Sequence, residues 1–156
     1  KANAGERNVM DQKTIKVYSS ETNSISEVSV IKKADKEWEK ELDDLQYDVL
    51  REKGTEKPFT HELLENKKEG VYICAGCGTE LFLSDSKFKS GTGWPSFYSP
   101  IAKENIEEIE DRNWGLLRTE VICPRCKGHL GHVFTDGPKP TGLRYCINGA
   151  ALKFKD

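Results

Sequence analysis

The chain has 156 residues, a length that suits one domain with a short appendage. Its 36% hydrophobic and 32% charged residues fit a soluble protein with a modest core and a well-solvated surface. Basic residues number 24 against 26 acidic ones, a net charge of -2 that gathers neither nucleic acid nor an anionic membrane, and no apolar run approaches the roughly 20 residues that span a bilayer.

No secretory hydrophobic segment opens the chain, and its first residue is Lys1 rather than Met. A trimmed product or excised fragment working in the cytoplasm is expected. Residues 1–33 are polar and rich in Ser, Glu, Lys and Asn, with only weak alternation at Ile25, Val28 and Val30. They read as an N-terminal extension or linker, partly disordered, ahead of a domain over residues 34–156. From Asp35 the pattern changes. Trp38, Leu42, Leu45 and Val49 form the stripe of an amphipathic helix, with Gly54 as its stop signal. Residues 55–70, punctuated by Pro58, Asn66 and Gly70, read as loop with one helical turn. Beyond them come short strands at Val71 to Cys74, Glu80 to Leu83, Leu116 to Ile122, Leu143 to Asn148 and Ala151 to Phe154, separated by Gly and Pro. No βαβ pattern is present. The expected fold is mainly β and mostly antiparallel, with one or two helices packed at its start.

Four of the five cysteines form two C-x-x-C pairs, Cys74/Cys77 and Cys123/Cys126. Two-residue spacing lets both thiolates of a pair reach one ion, and four thiolates complete a closed tetrahedral Zn2+ site of the structural kind. The gap between the pairs exceeds the roughly 15–20 residues of a compact ribbon. One zinc per chain would therefore staple two distant hairpins. The alternative is two unrelated redox or free-thiol pairs.

Cys146 stands alone. In a strand, Arg144, Cys146 and Asn148 share one face while Tyr145 and Ile147 share the other. A thiol flanked by a permanent cation and an amide is expected to favour the nucleophilic thiolate; an inert buried cysteine is the bland reading. His129 and His132, with Asp136 four residues on, offer candidate proton donors, though one of them could cap a zinc turn, ligate zinc or be merely exposed. The loop Gly91 to Phe97 carries Trp94 and Phe97, which either fill the core or line a pocket for an apolar group.

Ser90 to Phe97, Gly128 to Phe134, Asp136-Gly137-Pro138 and Arg144 to Asn148 resemble, in order, the signature segments of B-type methionine sulfoxide reductases, the methionine-R-sulfoxide reductase family. The match runs from about Glu37 to Phe154. The resemblance implies a zinc-stapled, tent-like domain of two small antiparallel sheets, with the zinc away from the active site. It assigns Cys146 as the catalytic thiolate that attacks the sulfoxide sulfur and becomes a sulfenic acid. His129 and His132 would assist proton delivery, Asp136 and Arg144 would be polar residues of the site, and Asn148 would help hold it together. Trp94 would pack on the substrate methyl, with Ser96 and Phe97 of the same motif also at the substrate. The implied substrate is methionine-R-sulfoxide, mostly within oxidised proteins, and no nucleotide site is suggested. Two departures stand out. Thr92 occupies the stretch where many relatives carry a recycling cysteine, so regeneration of a monomeric enzyme is expected to fall to thioredoxin, glutathione or a small dithiol. Gly149 stands where Ser is common, a change expected to be mild. A zinc-stapled β domain serving as a ligand- or peptide-binding module is the competing class; it would have no need of Cys146 with Arg144 and the paired histidines.

Overall fold

The computed structural model describes residues 13–112 and 115–156. Eleven short strands and two α-helices build it. The strands are β1 (Thr14–Ser19), β2 (Ser24–Ser29), β3 (Val71–Cys74), β4 (Glu80–Leu83), β5 (Lys87–Phe88), β6 (Ser96–Phe97), β7 (Glu107–Asp111), β8 (Arg118–Ile122), β9 (His129–Phe134), β10 (Arg144–Ile147) and β11 (Leu152–Lys155); the helices are α1 (Asp35–Glu41) and α2 (Asp44–Glu52). A six-stranded sheet runs β5-β6-β10-β9-β8-β7 and a three-stranded sheet runs β11-β3-β4, with every pairing antiparallel. Among the described residues the domain is mainly β, as its sequence led us to expect.

The N-terminal segment differs from expectation. Residues 1–12 lie outside the described residues, but β1 and β2 form a hairpin that docks on the domain. Asn105, fully buried, accepts from the Tyr18 amide at 2.8 Å and donates to the Tyr18 carbonyl at 2.9 Å. Arg125 donates to the Ser29 carbonyl at 3.0 Å. Polar composition suggested a linker because this hairpin is held by backbone and amide bonds, with Val17 as its one buried apolar side chain.

The apolar stripe from Trp38 to Val49 spans both α1 and α2, within the one or two helices expected. Asp43 caps α2 and forms a capping box with Gln46, their side chains and amides exchanging bonds of 2.8 and 2.9 Å. That box restarts the helix on a new axis, so Trp38, Leu42 and Val49 are buried while Leu45 is 45% exposed. The stop near Gly54 holds, although Lys53 takes the left-handed conformation, φ 58°. The helical turn of the following loop is a 3₁₀ turn at Glu62–Glu65. Besides β1 and β2, four strands are not expected from the sequence: β5 and β6 are two residues long, β7 is too acidic for propensity to flag, and β9 is interrupted by Gly131.

The core lies between the sheets. Phe97 stacks on Phe82 at 4.4 Å and meets Tyr72 edge-on at 5.1 Å, with Leu81, Val121, Leu130, Ile147 and Leu152 around them. The helices close one end: a Cβ added to Gly76 would lie 3.4 Å from the Trp38 ring, and one added to Gly128 2.9 Å from Leu50. Both glycines belong to the cysteine turns, so α1 and α2 pack on the cluster those turns form.

Candidate active site and cysteine cluster

Cys74, Cys77, Cys123 and Cys126 converge from the β3–β4 and β8–β9 turns, all four Sγ atoms within 4.8 Å of one another. Cys74 and Cys126 are 3.7 Å apart, and Cys77 and Cys123 3.5 Å. Those are not disulfides, whose sulfurs sit about 2.05 Å apart. They match the edge of a tetrahedron with metal–sulfur bonds of about 2.3 Å, which is about 3.8 Å. The Gly76 amide points at Cys74 Sγ from 3.4 Å, as thiolates require of their surroundings. The four cysteines are thus arranged to hold a metal ion, and no histidine is among them.

Cys146 lies in β10, whose burial alternates as anticipated, with Tyr145 and Ile147 inward and Arg144 and Cys146 half-buried on the other face. Register then does what spacing could not. Cys146 pairs with His132 on one side and Ser96 on the other. Direct cross-strand neighbours on one face are in side-chain reach. A Cβ on Gly131 would strike the Cys146 carbonyl at 2.0 Å, so only glycine lets β9 run this close to β10.

His129 and His132 are three residues apart and would face opposite sides of a regular strand. A bulge between β8 and β9 adds a residue at Leu130 and turns both to one side, their ring centroids 5.5 Å apart. Each is tied to a buried carboxylate: His129 Nδ1 to Glu120 at 2.7 Å and His132 Nε2 to Asp111 at 2.9 Å. Lys53 Nζ bridges the two carboxylates, 3.2 Å from Glu120 and 3.6 Å from Asp111. Arg118 adds a second cation on Asp111 at 3.4 Å. The His132 bond, outweighing burial, holds the Asp111 carboxyl below the ordinary range with help from Lys53 and Arg118. Burial lowers His129 despite Glu120, which keeps its imidazole neutral at pH 7.

A cavity of about 120 Å³ gathers Cys146, His132, Trp94, Asn148, Arg118 and Phe134. Trp94 Nε1 donates to the Glu56 carbonyl at 3.0 Å, which fixes the indole plane. The Glu56 amide donates to Asn148 Oδ1 at 3.0 Å, and its buried carboxylate accepts from the Gly149 and Ala150 amides at 2.8 Å each. Asn148 also donates to the Leu130 carbonyl at 3.0 Å, joining β9 to the end of β10. His129 does not line the cavity but backs His132. Arg144 stacks over Phe134 at 4.4 Å and pairs with exposed Asp136 through bonds of 2.9 and 3.2 Å. That guanidinium bond is the main cause holding the Asp136 carboxyl low.

Two site residues read from the sequence fall elsewhere. Phe97 is fully buried against Phe82 and Tyr72, a core residue with no face on the cavity. Ser96 is 1% exposed, its hydroxyl bonded to Ser90 at 2.7 Å and to the Trp94 carbonyl; it braces the loop. Conversely, Glu56, Asp111, Glu120, Lys53 and Arg118 were not anticipated. Arg118 and Glu120 alternate along a predicted strand, a signal that could have shown a charged face; Glu56 has no pattern around it.

Opposing influences act on the expected thiolate-favouring face. Burial pushes the Cys146 thiol up, and the Thr92 hydroxyl and Arg144 charge pull it back only in part. Alkylation of Cys146 by iodoacetamide, read by mass spectrometry, should therefore have its pH midpoint above that of a free cysteine. Replacing Arg144 by Met should move it further up; a midpoint below free cysteine in the native protein would mean that the cationic flank outweighs burial.

A model of the SelR domain matches residues 42–156. A peptide methionine sulfoxide reductase MsrB of Leptospira interrogans is 54% identical over 125 residues, covering 80% of this chain and 95% of its own length. Proteins of the same name from Bradyrhizobium diazoefficiens and Methanosarcina barkeri are 56% and 57% identical, covering 79% and 80% of this chain and 88% of their own lengths. Segments that resemble a family's signatures, the cysteine cluster and a family match over most of the chain agree: this chain belongs to the SelR-domain family, that of the B-type methionine sulfoxide reductases.

Proposed function

We propose that the chain reduces methionine-R-sulfoxide, free or within oxidised proteins, to methionine, with Cys146 as nucleophile. The observation carrying this reading is the cavity that joins the Cys146 thiol, the His132 ring and the Trp94 indole. A nucleophile, a proton carrier and an apolar wall are what a methyl sulfoxide requires.

Cys146 Sγ attacks the sulfoxide sulfur. His132, its Nε2 occupied by Asp111, takes the thiol proton on Nδ1 and passes it to the sulfoxide oxygen. The Sγ–S bond so formed is transient: it and the substrate's S–O bond break as the oxygen forms its bond to Cys146 Sγ, methionine leaves as the sulfide, and Cys146 is left as a sulfenic acid. One thiol and one sulfoxide thus become one sulfenic acid and one sulfide. The raised thiol suits this sequence, because the proton the oxygen needs is still on Cys146 when substrate arrives. His129 stays neutral behind His132 and steadies its ring. Asn148 and Glu56 hold Trp94 and the end of β10 in place.

Regeneration falls to external thiols such as thioredoxin, glutathione or a small dithiol. Two thiol equivalents return Cys146 to the thiol and leave as a disulfide with water. Thr92 beside Cys146 offers a hydroxyl, which does not attack a sulfenic sulfur usefully, and the other four cysteines belong to the cluster. We assign that cluster to one structural Zn2+, because four thiolates leave no open coordination position. Five cysteines with no disulfide among them suit a reducing compartment, and we place the protein in the cytoplasm as a monomer.

Stereochemistry tests the pocket. With the methyl on Trp94 and the oxygen at His132, only one epimer presents sulfur to Cys146. The separated R epimer should turn over and the S epimer should fall below about a hundredth of that rate. Comparable rates would overturn the placement of Trp94 and His132.

A further inference from the structure

Outside the cavity that holds Cys146, a trough of about 260 Å³ runs behind the Ser90–Gly93 loop. Lys67, Lys68, Lys87 and Lys89 line it against a single acid, Glu65. Among the described residues none of the four lysines is in an ion pair. Lys87 is already spoken for by hydrogen bonds to the Leu64 and Asn66 carbonyls at 2.7 and 3.0 Å, which pin the trough's wall. Lys67, Lys68 and Lys89 are exposed.

A second observation concerns Phe59, which also lines the trough and is 68% exposed. Its backbone is held in place. Phe59 has φ 64°, its amide donates to the Gly93 carbonyl at 2.8 Å, and a Cβ on Gly93 would meet its ring at 2.9 Å. A large aromatic anchored through its backbone beside the loop that carries Trp94, yet left open to water, offers a contact surface. The trough also leads toward the site. It shares Phe88, Lys89 and Ser90 with a second depression that reaches Thr92 and Arg144, and Arg144 stands two positions before Cys146 on the same face of β10.

We propose that this trough seats an extended, acidic segment of the oxidised polypeptide flanking the methionine sulfoxide. The proposal rests on the reductase reading above. Lys67, Lys68 and Lys89 meet the segment's carboxylates, while Phe59, Leu64 and Phe88 cover its apolar side-chain atoms. A chain net charge of -2 and apolar walls favour a peptide over a nucleic acid as the occupant.

The test uses the full chain and three substrates: two peptides of equal length with a central methionine-R-sulfoxide, flanked on both sides by Asp and Glu in one and by Lys in the other, and N-acetyl methionine-R-sulfoxide. At low salt the acidic peptide should show a kcat/KM about tenfold above the basic one, with the gap closing as salt rises. In a Lys67→Glu, Lys68→Glu, Lys89→Glu variant the preference should invert while the acetylated amino acid is reduced as before. Equal kcat/KM for the two peptides, or a preference that survives in the triple variant, overturns the proposal. Anisotropy of a labelled acidic peptide carrying unoxidised Met reads the trough without turnover. If that peptide binds and the triple variant loses it, the trough stands even where the reductase reading fails. A short single-stranded oligonucleotide that binds more tightly than the acidic peptide and displaces it would make this a polyanion site and overturn the peptide proposal.

Discussion

Cys146→Ser should abolish reduction of methionine-R-sulfoxide, with turnover falling by roughly four orders of magnitude or more, because a serine hydroxyl at neutral pH is not an effective nucleophile toward sulfoxide sulfur. Metal content should not change. Cys146 is in the middle of β10 and is not one of the four clustered cysteines, and its neighbours Tyr145 and Ile147 hold the strand by core packing. The native protein carries the matching expectation. With one equivalent of substrate and no reductant it should release about one methionine and consume one thiol per chain. A sulfenic-acid trapping reagent should then mark Cys146. Should the oxidised protein instead contain a bond from Cys146 to Cys74, Cys77, Cys123 or Cys126, the cluster is not inert and recycling by an external thiol fails. Retained turnover in the serine variant would remove Cys146 from the mechanism altogether and leave the binding-module reading in its place.

Metal removal is the second large effect. The purified protein should contain one equivalent of zinc, and a strong chelator or Cys126→Ser should unfold the domain. Structural zinc contributes on the order of 10 kcal/mol to folding where its site forms only in the native state. That is comparable with the whole stability of a domain of this size, about 5–15 kcal/mol. The packing shows why so little is left without it. The cluster ties the β3–β4 turn of one sheet to the β8–β9 turn of the other, and Trp38 and Leu50 cover it from the helices. Without the ion, four thiolates at separations of 3.5 to 4.8 Å repel, and each protonated thiol is a poor hydrogen-bonding group in a buried place. Thermal unfolding with and without chelator reads the effect. An apo protein that melts at the same temperature as the holo form would deny the cluster a structural role.

Much of this was legible in the amino-acid sequence. Pair spacing picked out Cys74, Cys77, Cys123 and Cys126, because two thiols three positions apart in a tight turn can share an ion whatever the rest of the chain does. Period-two alternation placed Tyr145 and Ile147 inward and Cys146 outward, because a strand has only two faces. Trp94, His132 and Asn148, taken from motifs that resemble a family, all meet Cys146 in one cavity. Gly149, read as a mild departure, proves coupled to another residue: a Cβ there would lie 2.4 Å from the His61 ring, so the glycine makes room for His61.

Only the tertiary structure decided the rest. Local periodicity carries no register between strands, so the pairing of Cys146 with His132 could not be read from either segment alone. Nor could the bulge at Leu130, which turns His129 to the same side as His132. Phe97 and Trp94 sit in one short loop with equal claims to core or pocket, and the sheet geometry sent the first into the core and the second to the cavity. Asp111, Glu120, Lys53 and Glu56 come from separate elements and acquire their partners only when those elements meet. The same holds for the state of the Cys146 thiol. Sequence shows the cation beside it, but desolvation depends on how much of the fold closes over it, and here burial outweighs the cation.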